Sequence, residues 1–162
     1  MNNKTRKLVT MALFIALSFI GANIKFPGTT IAFDSMPAFL ASMILGPIYG
    51  AVIGFIGHLI TAATSGFPLT IIVHLIVAIN MAITMIGVGY TYKWFSKGNL
   101  KFRDIVVILV GVVLNAPIST VMLIPVAGKG ILAMIPPLAV AALGNILLAL
   151  ILEKVLPKKY FI

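Results

Sequence analysis

Residues 46–58 read GPIYGAVIGFIGH, and this stretch decides what kind of fold the chain can adopt. Glycine lowers the stability of a helix interior by about 1 kcal/mol relative to alanine. Here Gly46, Gly50 and Gly54 recur at every fourth position. His58 continues the same spacing, so the four residues lie on one helix face. In lipid, small residues let helix backbones approach closely, so the stretch predicts a central membrane helix packed tightly on a neighbour.

The composition of the whole chain also indicates a membrane protein. Of its 162 residues, 61% are hydrophobic and 9% are charged, and the formal net charge is +9. Soluble domains are typically about 45–50% apolar and about 25% charged. This balance predicts an integral membrane protein with a single domain, residues 1–162. The chain has no cysteine, so thiolate metal sites are excluded, and we predict neither a cofactor nor a bound metal.

Apolar segments separated by turn residues predict an all-α bundle of six transmembrane helices. Gly46 and Pro47 separate the second segment from the third, because proline cannot continue the helix that precedes it. The apolar start of the chain is predicted to be a retained first helix rather than a signal peptide. The predicted spans are Leu8–Ile24, Ser35–Leu45, Ile48–Thr64, Thr70–Tyr92, Ile105–Leu123 and Ile131–Leu156.

Positive charges predict the orientation of these helices. With six spans, ten of the 12 basic residues fall on the side that holds both termini. Only Lys25 and Lys129 fall on the opposite side. Because cytoplasmic loops of membrane proteins are enriched in lysine and arginine, we expect a cell-membrane protein with both termini in the cytoplasm. The same distribution accounts for the net charge, which is therefore not an indication of nucleic acid binding.

Polar and aromatic side chains near the predicted outer ends are candidates for a ligand site. Small-molecule sites combine apolar walls with a few placed polar groups, and an aromatic ligand could stack on phenylalanine rings. Polar side chains within membrane helices are costly and usually face the protein interior. The predicted substrate-binding residues are Phe26, Phe33, Asp34, His58, Phe67, His74, Asn80 and Asn115.

Several of these side chains have a purely structural alternative. Asp34, the only acidic residue on the predicted outer side, stands directly before the second span and could cap that helix. His58 could be satisfied by a neighbouring hydroxyl or carbonyl instead of lining an outward cavity. Asn115 and Asn145 could simply clamp helices together through hydrogen bonds. Pro117 is expected to kink the fifth helix.

The sequence lacks the residues that several other classes of function need. Ion-coupled transport usually requires an acidic or basic residue within the membrane. The apolar interior of the predicted spans contains none. The sequence has no Walker, HExxH or GxSxG motif, so nothing supports ATP hydrolysis or catalysis by this chain. We therefore predict a non-enzymatic membrane protein with an outward-facing pocket and no energy source of its own. A self-sufficient secondary transporter or a small membrane enzyme is the alternative from another class.

Over its whole length, the sequence resembles the substrate-binding S-components of energy-coupling factor (ECF) vitamin transporters. The pattern LGPxxGxxxG at a helix junction is the more specific part of this resemblance. Four segments carry it in the same order along the chain: TMALFIALSFIGA (10–22), IKFPGTTIAFDSMP (24–37), SMILGPIYGAVIGFIGHLI (42–60) and TSGFP (64–68).

The resemblance implies a transport mechanism that depends on partners. In this family, the alanines of the first helix, here Ala12 and Ala16, pack on a shared membrane scaffold subunit that two cytoplasmic ATPases drive. The S-component binds its vitamin near the outer face, under the first loop, and then topples in the membrane to release it. Within the family, the sequence is most similar to S-components for α-ribazole, a cobalamin precursor. S-components for pantothenate or another water-soluble vitamin are the alternative, and the carboxylate of pantothenate would need Lys25 or Lys129.

Overall fold

The computed structural model of the chain describes residues 3–24 and 32–157, which are helical apart from their connecting segments. The all-α prediction is confirmed for this part of the chain. A 3-10 helix, Lys129–Met134, precedes the last α-helix. The α-helices are α1 (Asn3–Gly21), α2 (Met36–Ile44), α3 (Pro47–Thr64), α4 (Ile71–Phe95), α5 (Leu100–Ala127) and α6 (Ile135–Val155).

Four helical segments of the described chain are long and apolar enough to cross a membrane. They are α3, α4, α5 and the segment Lys129–Val155, which contains α6. By contrast, α2 has only nine residues and spans about 14 Å at 1.5 Å per residue. The hydrocarbon core of a bilayer is about 30 Å thick, so α2 cannot cross it alone. Membrane insertion is thus supported, but six complete crossings remain a prediction.

The short helix α2 forms the centre of the bundle. Eight of its nine residues are buried, and α1, α3, α4 and α6 all contact it. Its Phe39 packs in one fully buried cluster with Ile53 of α3, Met85 of α4 and Ile146 of α6. Burial of this kind stabilises a soluble core by about 1.5–3 kcal/mol for each large apolar side chain. In lipid, close packing of the helices provides much of this stabilisation. Small residues around α2 allow the helices to pack closely.

Glycine residues in α3 allow two neighbouring helices to approach its backbone. An ideal Cβ on Gly50 would lie 2.5 Å from the Cβ and 2.6 Å from the Cα of Ser42 in α2. An ideal Cβ on Gly57 would lie 3.0 Å from the Cβ of Ser18 in α1. Gly54, between them, faces side chains of α2 and α4. The recurring glycines therefore exist because α3 is crossed closely by helices on more than one side.

The junction between α2 and α3 is built from Gly46 and Pro47. Gly46 has a φ of 115°, a left-handed value that residues with a Cβ rarely adopt. Pro47 then occupies the first helical position, where its missing N–H leaves no helical hydrogen bond unmade. This dipeptide reverses the chain and starts α3 within a single turn.

The middle of α5 departs from regular α-helical geometry. Residues Leu114–Ile118 form a π-helical turn that contains Pro117. A proline inside a helix removes one backbone hydrogen bond and clashes with the preceding turn, and the wider π turn accommodates both effects. The disturbance expected at Pro117 therefore takes the form of a π turn. It directs the side chain of Asn115 toward α4, as its contact with Met81 shows.

An ion cluster joins α4, α5 and α6 at the end of the bundle where α4 stops and α5 begins. Arg103 Nη2 lies 2.7 Å from Asp104 Oδ1 and 3.3 Å from Glu153 Oε2. Lys154 Nζ lies 2.6 Å from Asp104 Oδ2. Tyr92 of α4 donates a hydrogen bond to Glu153, and its ring centroid lies 4.4 Å from Arg103 Cζ. Asp104 and Glu153 thus tie three helices together.

Candidate functional site

A cavity of about 340 Å³ lies among α3, α4, α5 and α6, at the end of the bundle opposite the ion cluster. We call this end the cavity end. Its size falls within the range of about 300–1,000 Å³ that is typical of small-molecule sites. Most of the wall is apolar, with Val73, Met81 and Leu138 among its residues. The polar residues of the described wall are Asp34, Ser35, His58, His74, Asn115, Ser119 and Asn145.

The structure brings half of the eight predicted substrate-binding residues to this wall. They come from four different parts of the chain: the segment before α2, α3, α4 and the π turn of α5. Phe26 lies outside the described residues, as does Lys25. The predicted residues that line the cavity are Asp34, His58, His74 and Asn115.

Phe33 and Phe67 lie beside the cavity rather than in its wall. The Phe33 ring packs near α6, where an ideal Cβ on Gly144 would lie 3.6 Å from Phe33 Cε1. The Phe67 ring meets the His74 ring edge-on, with ring centroids 5.9 Å apart. Within the described wall, the rings open to a ligand are therefore the imidazoles of His58 and His74.

Asn80 and Asn115 connect α4 to the π turn of α5. Asn80 Nδ2 donates to the carbonyl of Leu114 at 3.0 Å, and Asn115 Nδ2 donates to Met81 Sδ at 3.0 Å. The side chain of Asn80 lies behind the wall, whereas Asn115 also lines the cavity.

Asp34 is buried and bound by two hydroxyl groups. Thr61 Oγ1 donates to its Oδ2 at 2.6 Å, and Ser35 Oγ donates to its Oδ1 at 3.0 Å. Burial raises the pKa of the Asp34 carboxyl to about 6, although the hydrogen bonds from Thr61 and Ser35 act in the opposite direction. The described wall contains no lysine or arginine that could balance its charge.

The raised pKa of Asp34 predicts that this carboxyl contributes more to the stability of the ligand-free protein as the pH falls. The folded state holds a proton at Asp34 below about pH 6, whereas the unfolded state takes it up only near pH 3.8. Lowering the pH from 7.5 to 5 should therefore raise the contribution of Asp34 to the free energy of unfolding by about 1.4 kcal/mol. Denaturation in detergent micelles at constant ionic strength measures this change.

The Asp34→Asn variant provides the control for this pH dependence. His58 and His74 line the same cavity. The variant keeps both histidines, so the difference between its pH profile and that of the wild type isolates the contribution of Asp34. Identical profiles would contradict the prediction.

Asn145 of α6 holds the segment that precedes α2, a contact that the sequence analysis did not foresee. Its Oδ1 accepts from the N–H of Met36 at 2.8 Å. Its Nδ2 donates to the carbonyls of Ala32 at 3.1 Å and Ala141 at 2.9 Å. Ser35, at the N-cap position of α2, makes no side-chain capping bond. The cap considered for Asp34 is thus supplied by Asn145, because the Asp34 carboxylate is bound to hydroxyls instead.

Replacement of Asn145 with alanine is expected to lower the free energy of unfolding by about 1–3 kcal/mol, because it leaves buried backbone groups unpaired. The measurement is chemical denaturation of the purified protein in detergent, followed by circular dichroism. Asn23→Ala is the matched control, since Asn23 is exposed and its Nδ2 donates to Phe19 within α1. Equal losses in the two variants would show that Asn145 has no special role.

The two histidines form a directed chain of hydrogen bonds. His74 Nε2 lies 2.7 Å from the carbonyl of Pro68, which can only accept, so Nε2 carries a proton. With both rings neutral, His74 Nδ1 accepts from His58 Nε2 at 3.2 Å. The Nδ1 of His58 is then left without a proton. The hydrogen bond from His74 to Pro68 also fixes the turn between α3 and α4. In this turn, Phe67 and Leu69 have left-handed φ values of 50° and 73°.

Ser35, Ser119 and Asn145 are wall residues that were not predicted as site residues. Ser119 follows Asn115 by four positions, so helical spacing was an available signal for it. Ser35 adjoins Asp34 in the sequence. The sequence analysis considered Asn145 only as a helix clamp, and no sequence signal identifies its partner Met36, which is 109 positions away.

The fold and the cavity define a class of protein: a small helical membrane protein with a small-molecule pocket at one end. Among the described residues, no group of three or more His, Cys, Asp or Glu side chains could hold a metal ion. A family model described as the substrate-specific component of ECF transporters matches residues 6–157. The chain therefore belongs to the family of ECF transporter substrate-specific components, which are transporter subunits rather than enzymes.

A comparison with individual proteins gives a more limited match. The chain is 39% identical over 69 residues to a UPF0397 protein of Streptococcus sanguinis (strain SK36). The matched segment covers 40% of this chain and 38% of that relative, well under half of either. No solved structure matches the chain.

Proposed function

We propose that this chain is the substrate-binding subunit of an ECF-type ABC transporter and binds a vitamin or vitamin precursor at the outer face of the cell membrane. A shared scaffold subunit and two cytoplasmic ATPases drive the import, since the chain has no nucleotide-binding motif. The observation that carries this proposal is the cavity of about 340 Å³ at one end of a chain that belongs to this family.

The distribution of charge supports an outward-facing cavity and cytoplasmic termini. Lys93, Lys97 and Lys101 lie where α4 ends and α5 begins, at the end of the bundle opposite the cavity. The first turns of α1 lie at that end too, because Lys7 Nζ is 5.0 Å from the Tyr49 ring centroid at the start of α3. Basic residues favour the cytoplasmic side of a membrane.

The exposed face of α1 supports docking on a scaffold subunit. Ala12 and Ala16 are exposed, whereas Phe14 and Ser18 are buried against the bundle. Each alanine is two positions, or about 200° around the helix, from one of these buried residues. Exposed small residues four positions apart allow another membrane helix to approach closely.

The best candidate ligand is α-ribazole, which combines an apolar benzimidazole with a hydroxyl-rich ribose. The mostly apolar wall suits the ring system, and its few polar groups suit the sugar. Pantothenate is the alternative, but its carboxylate would need a cation. Lys129 is exposed and does not line the cavity, and Lys25 lies outside the described residues.

Reconstitution tests the proposed function. The tagged chain should co-purify with the scaffold and the two ATPases, and uptake into vesicles should require ATP and all four subunits. Native mass spectrometry against a vitamin panel that includes α-ribazole and pantothenate then identifies the ligand. Uptake by this chain alone, driven by an ion gradient, would refute the proposal and support a secondary transporter.

A further inference from the structure

We infer that the cavity selects a ligand that donates hydrogen bonds and carries no negative charge, and that Asp34 and His58 are the residues that impose this selection. The inference rests on the proposed function, because it concerns the ligand of the same site. It follows from which hydrogen-bond donors of the wall are already used within the protein.

The donors next to the α2 segment are used by the protein itself. Ser35 Oγ donates to Asp34 Oδ1. Asn145 Nδ2 has two hydrogens, and it donates to the carbonyls of Ala32 and Ala141. A donor hydrogen engaged in this way is not available to a ligand.

The donors on α3, α4 and the π turn of α5 are used in the same way. His74 Nε2 donates to the carbonyl of Pro68, and His58 Nε2 donates to His74 Nδ1. One of the two Asn115 amide hydrogens is directed to Met81 Sδ. Little donor capacity is therefore left on the polar part of the described wall.

Acceptors and negative charge remain available on the same wall. His58 Nδ1 and Asn115 Oδ1 make no hydrogen bond within residues 3–24 and 32–157. The Asp34 carboxylate contributes a negative charge that the hydroxyls of Ser35 and Thr61 stabilise but do not neutralise. A ligand that satisfies this wall must bring donors.

The charge of Asp34 decides against anionic ligands. Like charges repel strongly in a buried, mostly apolar cavity, because the effective dielectric constant there is well below that of water. A carboxylate or phosphate on the ligand is therefore disfavoured, whereas hydroxyl, amine and amide groups are favoured. The Ser119 hydroxyl and the second Asn115 amide hydrogen can still serve one acceptor, such as a ring nitrogen.

Pairs of compounds that differ in charge test the inference on the wild-type protein. The pairs are α-ribazole with its 5′-phosphate, panthenol with pantothenate, and nicotinamide with nicotinate. Isothermal titration at pH 7.5 should give at least tenfold tighter binding of the uncharged member in every pair that binds. Equal affinity, preference for the anion, or no binding of any compound would overturn the inference.

Two variants separate the contributions of charge and hydrogen bonding. Asp34→Asn removes the charge at nearly constant size, and the preference for the uncharged member should fall below threefold. His58→Phe keeps a ring but removes the acceptor, so the uncharged ligand should bind about tenfold more weakly with its preference retained. Ser96→Ala, at the opposite end of the bundle, is the control and should match the wild type. A full preference in Asp34→Asn would contradict the inference, and the wild-type pairs decide it if that variant does not fold.

The same protein preparation distinguishes this inference from the proposed function. Assembly with the scaffold and ATP-dependent uptake measure the transporter role, whereas the compound pairs measure the polarity of the cavity. A chain that assembles and imports but prefers anions would overturn the inference alone. A chain that prefers uncharged ligands but never assembles would overturn the proposed function alone.

Discussion

The Gly50→Val variant is expected not to accumulate as a folded protein. An ideal Cβ at this position would lie 2.5 Å from the Cβ, 2.6 Å from the Cα and 2.9 Å from the backbone N of Ser42. Two of these atoms belong to the backbone of α2, so no side-chain rotation can relieve the clash. Overpacking usually costs about 1–3 kcal/mol, and we expect the upper limit or more because α2 and α3 must separate.

The measurement for Gly50→Val is fluorescence-detected size-exclusion chromatography of detergent extracts, with thermal unfolding of any folded fraction. Gly130→Val is the matched control, because an ideal Cβ on Gly130 meets no atom within 4 Å. We expect this control to change stability by no more than about 0.5 kcal/mol. A monodisperse Gly50→Val protein with the wild-type melting temperature would show that the close crossing of α2 and α3 does not require glycine.

The Ala16→Trp variant is expected to reduce uptake by the complete transporter at least tenfold while it binds the ligand within twofold of the wild type. Ala16 is exposed on α1, and α1 contributes no residue to the described cavity wall. A tryptophan there keeps a partner helix from approaching the backbone closely. Ala12→Trp should have the same effect, because Ala12 lies one turn earlier on the same face.

Two comparisons make the result for Ala16→Trp specific. Leu109→Trp adds the same ring to an exposed position on α5, 58% accessible, and should leave uptake unchanged. If both variants lose uptake, bulk on any lipid-facing surface is the cause and the docking proposal for α1 is wrong. If Ala16→Trp loses ligand binding, that face of α1 supports the cavity instead.

Much of the helical architecture could be predicted because proline, glycine and hydrophobic runs mark where membrane helices begin and end. The third span was predicted to start at Ile48, and α3 begins at Pro47. The fifth was predicted as Ile105–Leu123, but α5 extends over Leu100–Ala127. Its first turn contains the charged residues Lys101 and Arg103 and is capped by Asn99, so hydropathy alone could not include it.

The second span shows where a hydropathy argument fails. Its residues are as apolar as those of a membrane-crossing helix, but α2 is short and almost wholly enclosed by other helices. An apolar run of this length fits a buried core helix as well as a thin crossing. Only the tertiary arrangement separates the two, because it shows which faces meet protein and which meet lipid.

The candidate site could be predicted in part because isolated polar residues in apolar segments are rare and face the interior. That reasoning identified candidate polar residues but not the groups to which they form hydrogen bonds. Asn80 was predicted to bind ligand; its Nδ2 donates to the carbonyl of Leu114 in the π turn, and Asn80 does not line the described cavity wall. Asn145 was considered a helix clamp, and it does bind Met36, the first residue of α2; the sequence did not indicate that it also binds Ala32 in the segment before α2.

The ion cluster of α4, α5 and α6 constrains how a bound molecule can leave. Arg103 is only 4% exposed, and the loss of one partner from a buried ion pair costs about 3–5 kcal/mol. These three helices are therefore not expected to part at that end and open an exit into the cell. A molecule in the cavity is therefore expected to leave through the opening by which it entered. Under the proposed transport function, delivery to the interior would then require the whole protein to reorient in the membrane until that opening faces the other side.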